Sequence, residues 1–98
     1  MKYSLLVRPE AQADLAETQK WYEERAASLG RQFVEAVDDA LASIIRNPLA
    51  FAVVRNVVRR ALTKRFPYGI LYLVETDTVV VLAILHQARD PELWARRA

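Results

Sequence analysis

The segment Gly69-Ile-Leu-Tyr-Leu-Val-Glu75, Thr76-Asp77, Thr78-Val-Val-Val-Leu-Ala-Ile-Leu-His86 decides the fold. Each of its two apolar runs is nearly uninterrupted. An apolar run of strand length without polar alternation reads as a strand buried on both faces. Thr76-Asp77 between them reads as a tight turn, so the two runs form the centre of a sheet. Upstream, Ala52 to Val58 and Arg59 to Phe66 read as further short β runs.

Before Pro48 the period changes. From Pro9 to about Ala27, Ala11, Leu15, Thr18 and Tyr22 recur at helical spacing, and Pro9 suits a first helical turn, where its missing N–H costs nothing. Glu10, Asp14 and Glu17 lie toward the positive end of that helix dipole. Ser28-Leu29-Gly30 interrupts the pattern, and Phe33, Val37, Ala40, Leu41, Ile44 and Ile45 continue it up to Asn47-Pro48. So short a connection predicts an antiparallel helical hairpin. Lys2 to Val7 is a strand that runs directly into it. The expected class is α+β: an N-terminal strand, the hairpin, then a mainly antiparallel twisted sheet. The hairpin covers one face of that sheet. The other is left partly open or closed by Pro91, Leu93 and Trp94 folding back.

A chain of 98 residues, 53% hydrophobic, builds one core, so residues 1–98 are expected to form a single domain. With no cysteine and His86 as the lone histidine, a disulfide scaffold, a thiolate metal site and a histidine-rich metal site are all excluded. Met1 to Val7 lacks the pattern of a signal peptide, and no apolar run reaches membrane-spanning length, so a cytoplasmic protein is expected. Gly30 and Gly69 read as punctuation between elements rather than as a phosphate loop, and no cofactor is expected. Ser4, Ser28 and Ser43 form no nucleophile elbow, and Glu23-Glu24 and Asp38-Asp39 read as solvated helix faces.

The net charge of +2 conceals a segregation. Arg46, Arg55, Arg59, Arg60, Lys64 and Arg65 follow one another with no acid between them, a cation strip that attracts anions by summed Coulomb interaction. The same strip also suits an edge strand kept from aggregating by its charge. Past the last strand stand His86, Arg89 and Asp90. Cleavage of RNA by its 2′-hydroxyl needs a base, an acid and cations at the phosphate. His86 suits one proton transfer, and Arg59, Arg60, Lys64, Arg65 and Arg89 suit phosphate binding. A second proton-transfer group is missing nearby, because the Trp94 indole does not titrate. The plainer reading of His86 is a strand-end residue hydrogen-bonded to the turn that follows.

Taken in order, Ala13-Asp14-Leu15, Trp21-Tyr22, Gly30, Phe33, Pro48, Arg65-Phe66-Pro67-Tyr68, Tyr72, His86, Arg89, Pro91 and Trp94 resemble the RelE/ParE toxins of bacterial toxin-antitoxin pairs over nearly the whole chain. The resemblance implies the fold already read from periodicity. It also implies a cognate antitoxin, with a DNA-binding N-terminal part and a C-terminal part that wraps the toxin in a hetero-oligomer. Contacts along the hairpin and over Arg55 to Arg65 follow from it. RelE-like members cleave messenger RNA on the ribosome, and ParE-like members are linked to inhibition of DNA gyrase. Trp94 stands where RNA-cleaving members often carry a tyrosine, and Phe66-Pro67-Tyr68 with His86 to Arg89 is more similar to ParE. The resemblance therefore implies a gyrase-directed toxin with Arg59, Arg60, Lys64, Arg65, His86, Arg89 and Trp94 on its working surface, and an RNA-cleaving enzyme using His86 as the alternative. A copy that has lost its toxicity is a third reading.

Overall fold

A computed structural model describes residues 2–89 and 95–97. The elements are β1 (Ser4–Val7), α1 (Pro9–Arg25), α2 (Leu29–Arg46), β2 (Val53–Arg55), β3 (Val58–Leu62), β4 (Tyr68–Glu75) and β5 (Thr78–His86). Among the described residues the strands form one sheet in the order β1-β5-β4-β3-β2. Its pairings are antiparallel except β1 with β5, which is parallel. This is the α+β architecture expected from the sequence. The proposed C-terminal cover at Pro91, Leu93 and Trp94 lies outside the described residues.

β4 and β5 are buried on both faces, as their unbroken apolar runs require. Toward the helices, Ile70, Tyr72, Val79, Val81 and Ile84 pack with Ala11, Phe33, Val37 and Ile44. On the opposite face Val58, Leu71, Leu73, Val80, Leu82, Ala83 and Leu85 form a second cluster, with Ala95 against it. Leu71 pairs with Ala83 and Tyr72 with Val81, so Leu82 is an inserted residue. The bulge puts both Leu82 and Ala83 in the second cluster, which is why β5 shows no clean alternation.

β2 and β3 differ from the sequence expectation. Instead of a run to Val58, β2 stops at Arg55 and Asn56 turns left-handed with φ 51°. Asn tolerates that conformation better than most residues, and the chain reverses there into β3. β3 in turn stops at Leu62, not Phe66. Buried Thr63 closes the next loop, its hydroxyl 2.8 Å from the Phe66 carbonyl and its N–H donating to the Tyr68 carbonyl. Within that loop Arg65 has φ 72°.

The two glycines are not punctuation either. Gly30 lies inside α2, buried where a Cβ would stand 2.6 Å from the Gln19 carbonyl oxygen of α1. Only a residue without a side chain lets the two helices approach so closely. Gly69 lies inside β4, and its role belongs to the site described below.

The start of α2 shows how the hairpin is held. Ser28 adopts φ 66° and makes no side-chain cap, and the first turn of α2 carries no acid. Glu23 of α1 supplies what is missing: its carboxylate accepts the Ser28 and Gly30 N–H groups, both at 2.9 Å. Those two bonds hold its pKa below the ordinary glutamate value. A depressed carboxylate contributes stability that is present above the unfolded pKa, about 4.3, and is lost as pH falls through the folded value. Glu23→Gln is expected to lower Tm at neutral pH, with the gap to the parent protein closing on acidification. Melting followed by circular dichroism from neutral to acid pH checks this, and a constant gap contradicts it.

Candidate functional site

Alternation along β3 separates the cations that adjoin one another in sequence. Arg59 pairs with Tyr72 and turns toward the helices; Arg60 pairs with Leu71 and turns to the other face. Arg59 donates to the Leu49 and Phe51 carbonyls at 3.1 and 2.6 Å. The Tyr72 hydroxyl, on a fully buried residue, donates to the Pro48 carbonyl at 2.6 Å. Burial raises the Tyr72 pKa, with the Arg59 charge opposing. Arg59 and Tyr72 thus hold the connection from α2 into β2.

Lys64 and Arg65 lie elsewhere. They line a groove of about 670 Å³ between α2 and the β3–β4 loop, whose other bank carries Glu35, Asp38 and Asp39. Arg65 also donates to the Gln32 side chain at 3.1 Å. Their field is therefore opposed locally by three carboxylates. The loop is seated by an aromatic cluster in which Tyr22 lies 5.0 Å from Phe66 and Phe33 lies 5.0 Å from Tyr68, ring centre to ring centre.

Arg60, His86 and Arg89 do come together. With Arg55, Val54, Gly69, Leu71 and Leu85 they line a second groove of about 480 Å³ on the face of the sheet away from α1 and α2. No acid is among its described lining residues. Gly69 explains how Arg60 reaches it: a Cβ at position 69 would stand 3.0 Å from Arg60 Cδ and 3.1 Å from Cγ. The arginine stem lies across the bare glycine. A lone glycine in an apolar strand signals such a close approach, and so marks this residue in the sequence too. Arg55 belongs to the cation strip, and its place here follows from the hairpin at Asn56.

His86 borders the groove, but its ring packs edge-on against Tyr68 at 5.3 Å. Its Nδ1 accepts the Ala88 N–H at 3.0 Å, the strand-end arrangement read as the plainer one from sequence. Trp94 and Asp90 lie outside the described residues. Among the described residues no cluster of His, Cys, Asp or Glu is arranged to hold a metal ion, and no helix is long and apolar enough to cross a membrane.

A family model described as the ParE toxin of type II toxin-antitoxin systems, parDE, matches residues 5–91. No curated protein sequence matches the chain. Among solved structures, the chromosomal ParDE toxin-antitoxin system of P. aeruginosa is similar with a TM-score of 0.66 at 20% identity, over 87% of this chain and 96% of that one. The RelBE2 toxin-antitoxin complex of Mycobacterium tuberculosis gives 0.59 at 22% identity, over 88% and 99%. A mutant of the E. coli toxin RelE in the free state gives 0.60 at 15% identity, over 97% and 93%. These likenesses establish the fold.

Removing the Tyr72 hydroxyl leaves the Pro48 carbonyl, on a buried residue, without that donor. Tyr72→Phe is expected to cost about 1–3 kcal/mol, the usual penalty for an unsatisfied buried group. Lys64→Gln, at an exposed position, is expected to change stability by no more than about 0.5 kcal/mol. Urea unfolding of the two variants checks the contrast.

Proposed function

Because the chain belongs to the ParE toxin family of type II toxin-antitoxin systems, we propose that it is a toxin that inhibits DNA gyrase by binding and is neutralised by a cognate antitoxin. The observation that carries the choice of binding over RNA cleavage is the setting of His86. Its Nδ1 is occupied by the Ala88 N–H, its ring packs edge-on against Tyr68, and the described lining of the groove holds no carboxylate as a second proton-transfer group. Cleavage by 2′-hydroxyl attack needs both an acid and a base. A groove with three guanidiniums and an aliphatic floor suits recognition of an acidic surface better than proton transfer.

The antitoxin partner is supported by the family match and by neighbours that are themselves toxin-antitoxin systems. We place its C-terminal part along the hairpin and the Arg55 to Arg65 region, and a DNA-binding N-terminal part outside that contact. Lys64 and Arg65, facing Glu35, Asp38 and Asp39, would serve that partner rather than the target.

Purified chain added to DNA gyrase is expected to block supercoiling, and Arg60→Glu to weaken the block at least about tenfold, as loss of charged hydrogen bonds does. Induction without the antitoxin should give filamentation with intact transcripts. Supercoiling unaffected at high toxin excess would overturn the gyrase reading, and transcript cleavage that His86→Gln abolishes would instead assign the chain to RNA cleavage on the ribosome.

A further inference from the structure

The groove between α2 and the β3–β4 loop carries both signs of charge on separate banks. Glu35, Asp38 and Asp39 recur at i, i+3 and i+4, so they share one face of α2. Lys64 and Arg65 stand on the opposite bank, where β3 has ended and the loop begins. All five residues are exposed, and among the described residues no ion pair joins the two banks. Arg65 reaches across only as far as the neutral Gln32 side chain. Between the banks lie Ala36, Ala40 and half-exposed Leu62.

A partner of uniform charge gains on one bank what it loses on the other. A strand of nucleic acid or an acidic peptide is drawn to Lys64 and Arg65 and repelled by the three carboxylates, and a basic segment meets the reverse. The groove therefore needs a surface that presents cations toward α2 and carboxylates toward the loop. This chain has such a surface in the groove itself. A two-fold axis running along the groove carries each bank onto the opposite bank of a second copy, so that every contact between cation and carboxylate is made twice. A two-fold axis across the groove sets like on like instead, so charge selects one of the two face-to-face arrangements.

We propose that this groove is a self-complementary interface through which two copies of the chain associate about a two-fold axis: Lys64 and Arg65 of each copy pair with Glu35, Asp38 and Asp39 of the other, and Leu62 meets Ala36 and Ala40 across the axis. The interface does not depend on which target the chain acts on. Its consequence for the antitoxin contact placed above is exclusion, because Lys64 and Arg65 cannot serve a second copy and an antitoxin at once. Groove on groove leaves room for water, and exposed ion pairs are individually weak and screened by salt, so the association is reversible and lost at high ionic strength.

Sedimentation velocity on the purified full chain, without antitoxin or target, tests it. At about 0.1 M salt, where fields reach about 10 Å, a two-chain mass is expected to appear as concentration rises; at about 1 M, where they reach about 3 Å, it should be lost. Lys64→Glu with Arg65→Glu makes the groove all acidic, and Glu35→Lys with Asp38→Lys and Asp39→Lys makes it all basic. Each set is expected to weaken self-association at least about tenfold, because like charges then face each other across the axis. Mixed in equal amounts, the two variants should regain the two-chain mass, a rescue that neither a folding defect nor association through another face produces. Lys20→Glu, on the exposed surface of α1, should leave self-association unchanged. The substituted positions are exposed, and circular dichroism should confirm that the variants fold. Lys64→Glu alone keeps the bond from Arg65 to Gln32 and should still weaken association severalfold. A single-chain mass at every concentration, association that survives about 1 M salt, reversed banks without effect, or no recovery on mixing would each overturn the proposal.

Discussion

β5 runs through the centre of the molecule, and each backbone polar group along it must find a partner away from water. β4 serves one side for the whole length. On the other side β1 pairs only from Thr78 to Val81, and the Arg8 N–H takes the Val81 carbonyl as the chain leaves for α1. Beyond that point two side chains replace a strand. Asp14 of α1 accepts the Ile84 N–H at 3.0 Å, and Arg97 donates to the Leu82 carbonyl at 3.2 Å while pairing with Asp14 at 2.7 Å. Arg8 in turn donates to the Arg97 carbonyl. The hairpin, the central strand and the C-terminal end of the chain are thus joined at one place. An ion pair is weak evidence for stability when it stands alone, but this one also completes a sheet edge, where loss of either partner strands a backbone group.

That closure leaves the two faces of the sheet with different work. On one, α1 and α2 bury the aromatic cluster of Tyr22, Phe33, Phe66 and Tyr68, and Arg59 with Tyr72 fixes the connection into β2. These groups have their hydrogen bonds and ring contacts inside the fold. On the other, an aliphatic surface meets Arg60 of β3 and Arg89 just past the end of β5. The groove is therefore set by β3, the start of β4 and the turn that follows β5.

Much of this is legible in the sequence alone. The unbroken runs Ile70 to Val74 and Val79 to Leu85 gave the centre of the sheet, and the 3.6-residue spacing gave both helices, because these patterns follow directly from which side chains water excludes. The hairpin at Asn56 was not legible, since valine pairs flank Arg55-Asn56 on both sides and one left-handed Asn is all that marks the turn. Nor was the clasp: Asp14 and Arg97 are 83 positions apart, and nothing local marks either as a partner of a strand edge. The two glycines were misread for a related reason. A turn and a close approach place the same demand on a residue, and sequence does not distinguish a bend from a neighbour.

The cation strip shows the same limit in its sharpest form. Arg59 and Arg60 are adjacent and chemically identical, yet the period of two in a strand sends one into backbone carbonyls and the other to a groove with no acid among its described lining residues. Lys64 and Arg65, past the end of β3, escape that alternation and fall opposite the carboxylates of α2. The five cations from Arg55 to Arg65 thus fall into three environments with different electrostatic consequences. A positive stretch read as one patch overstates the field available to any partner, because attraction at a site depends on which charges share a face and on what opposes them there. By that measure the charges that face no acid among the described residues are Arg60 and Arg89, not the strip as a whole.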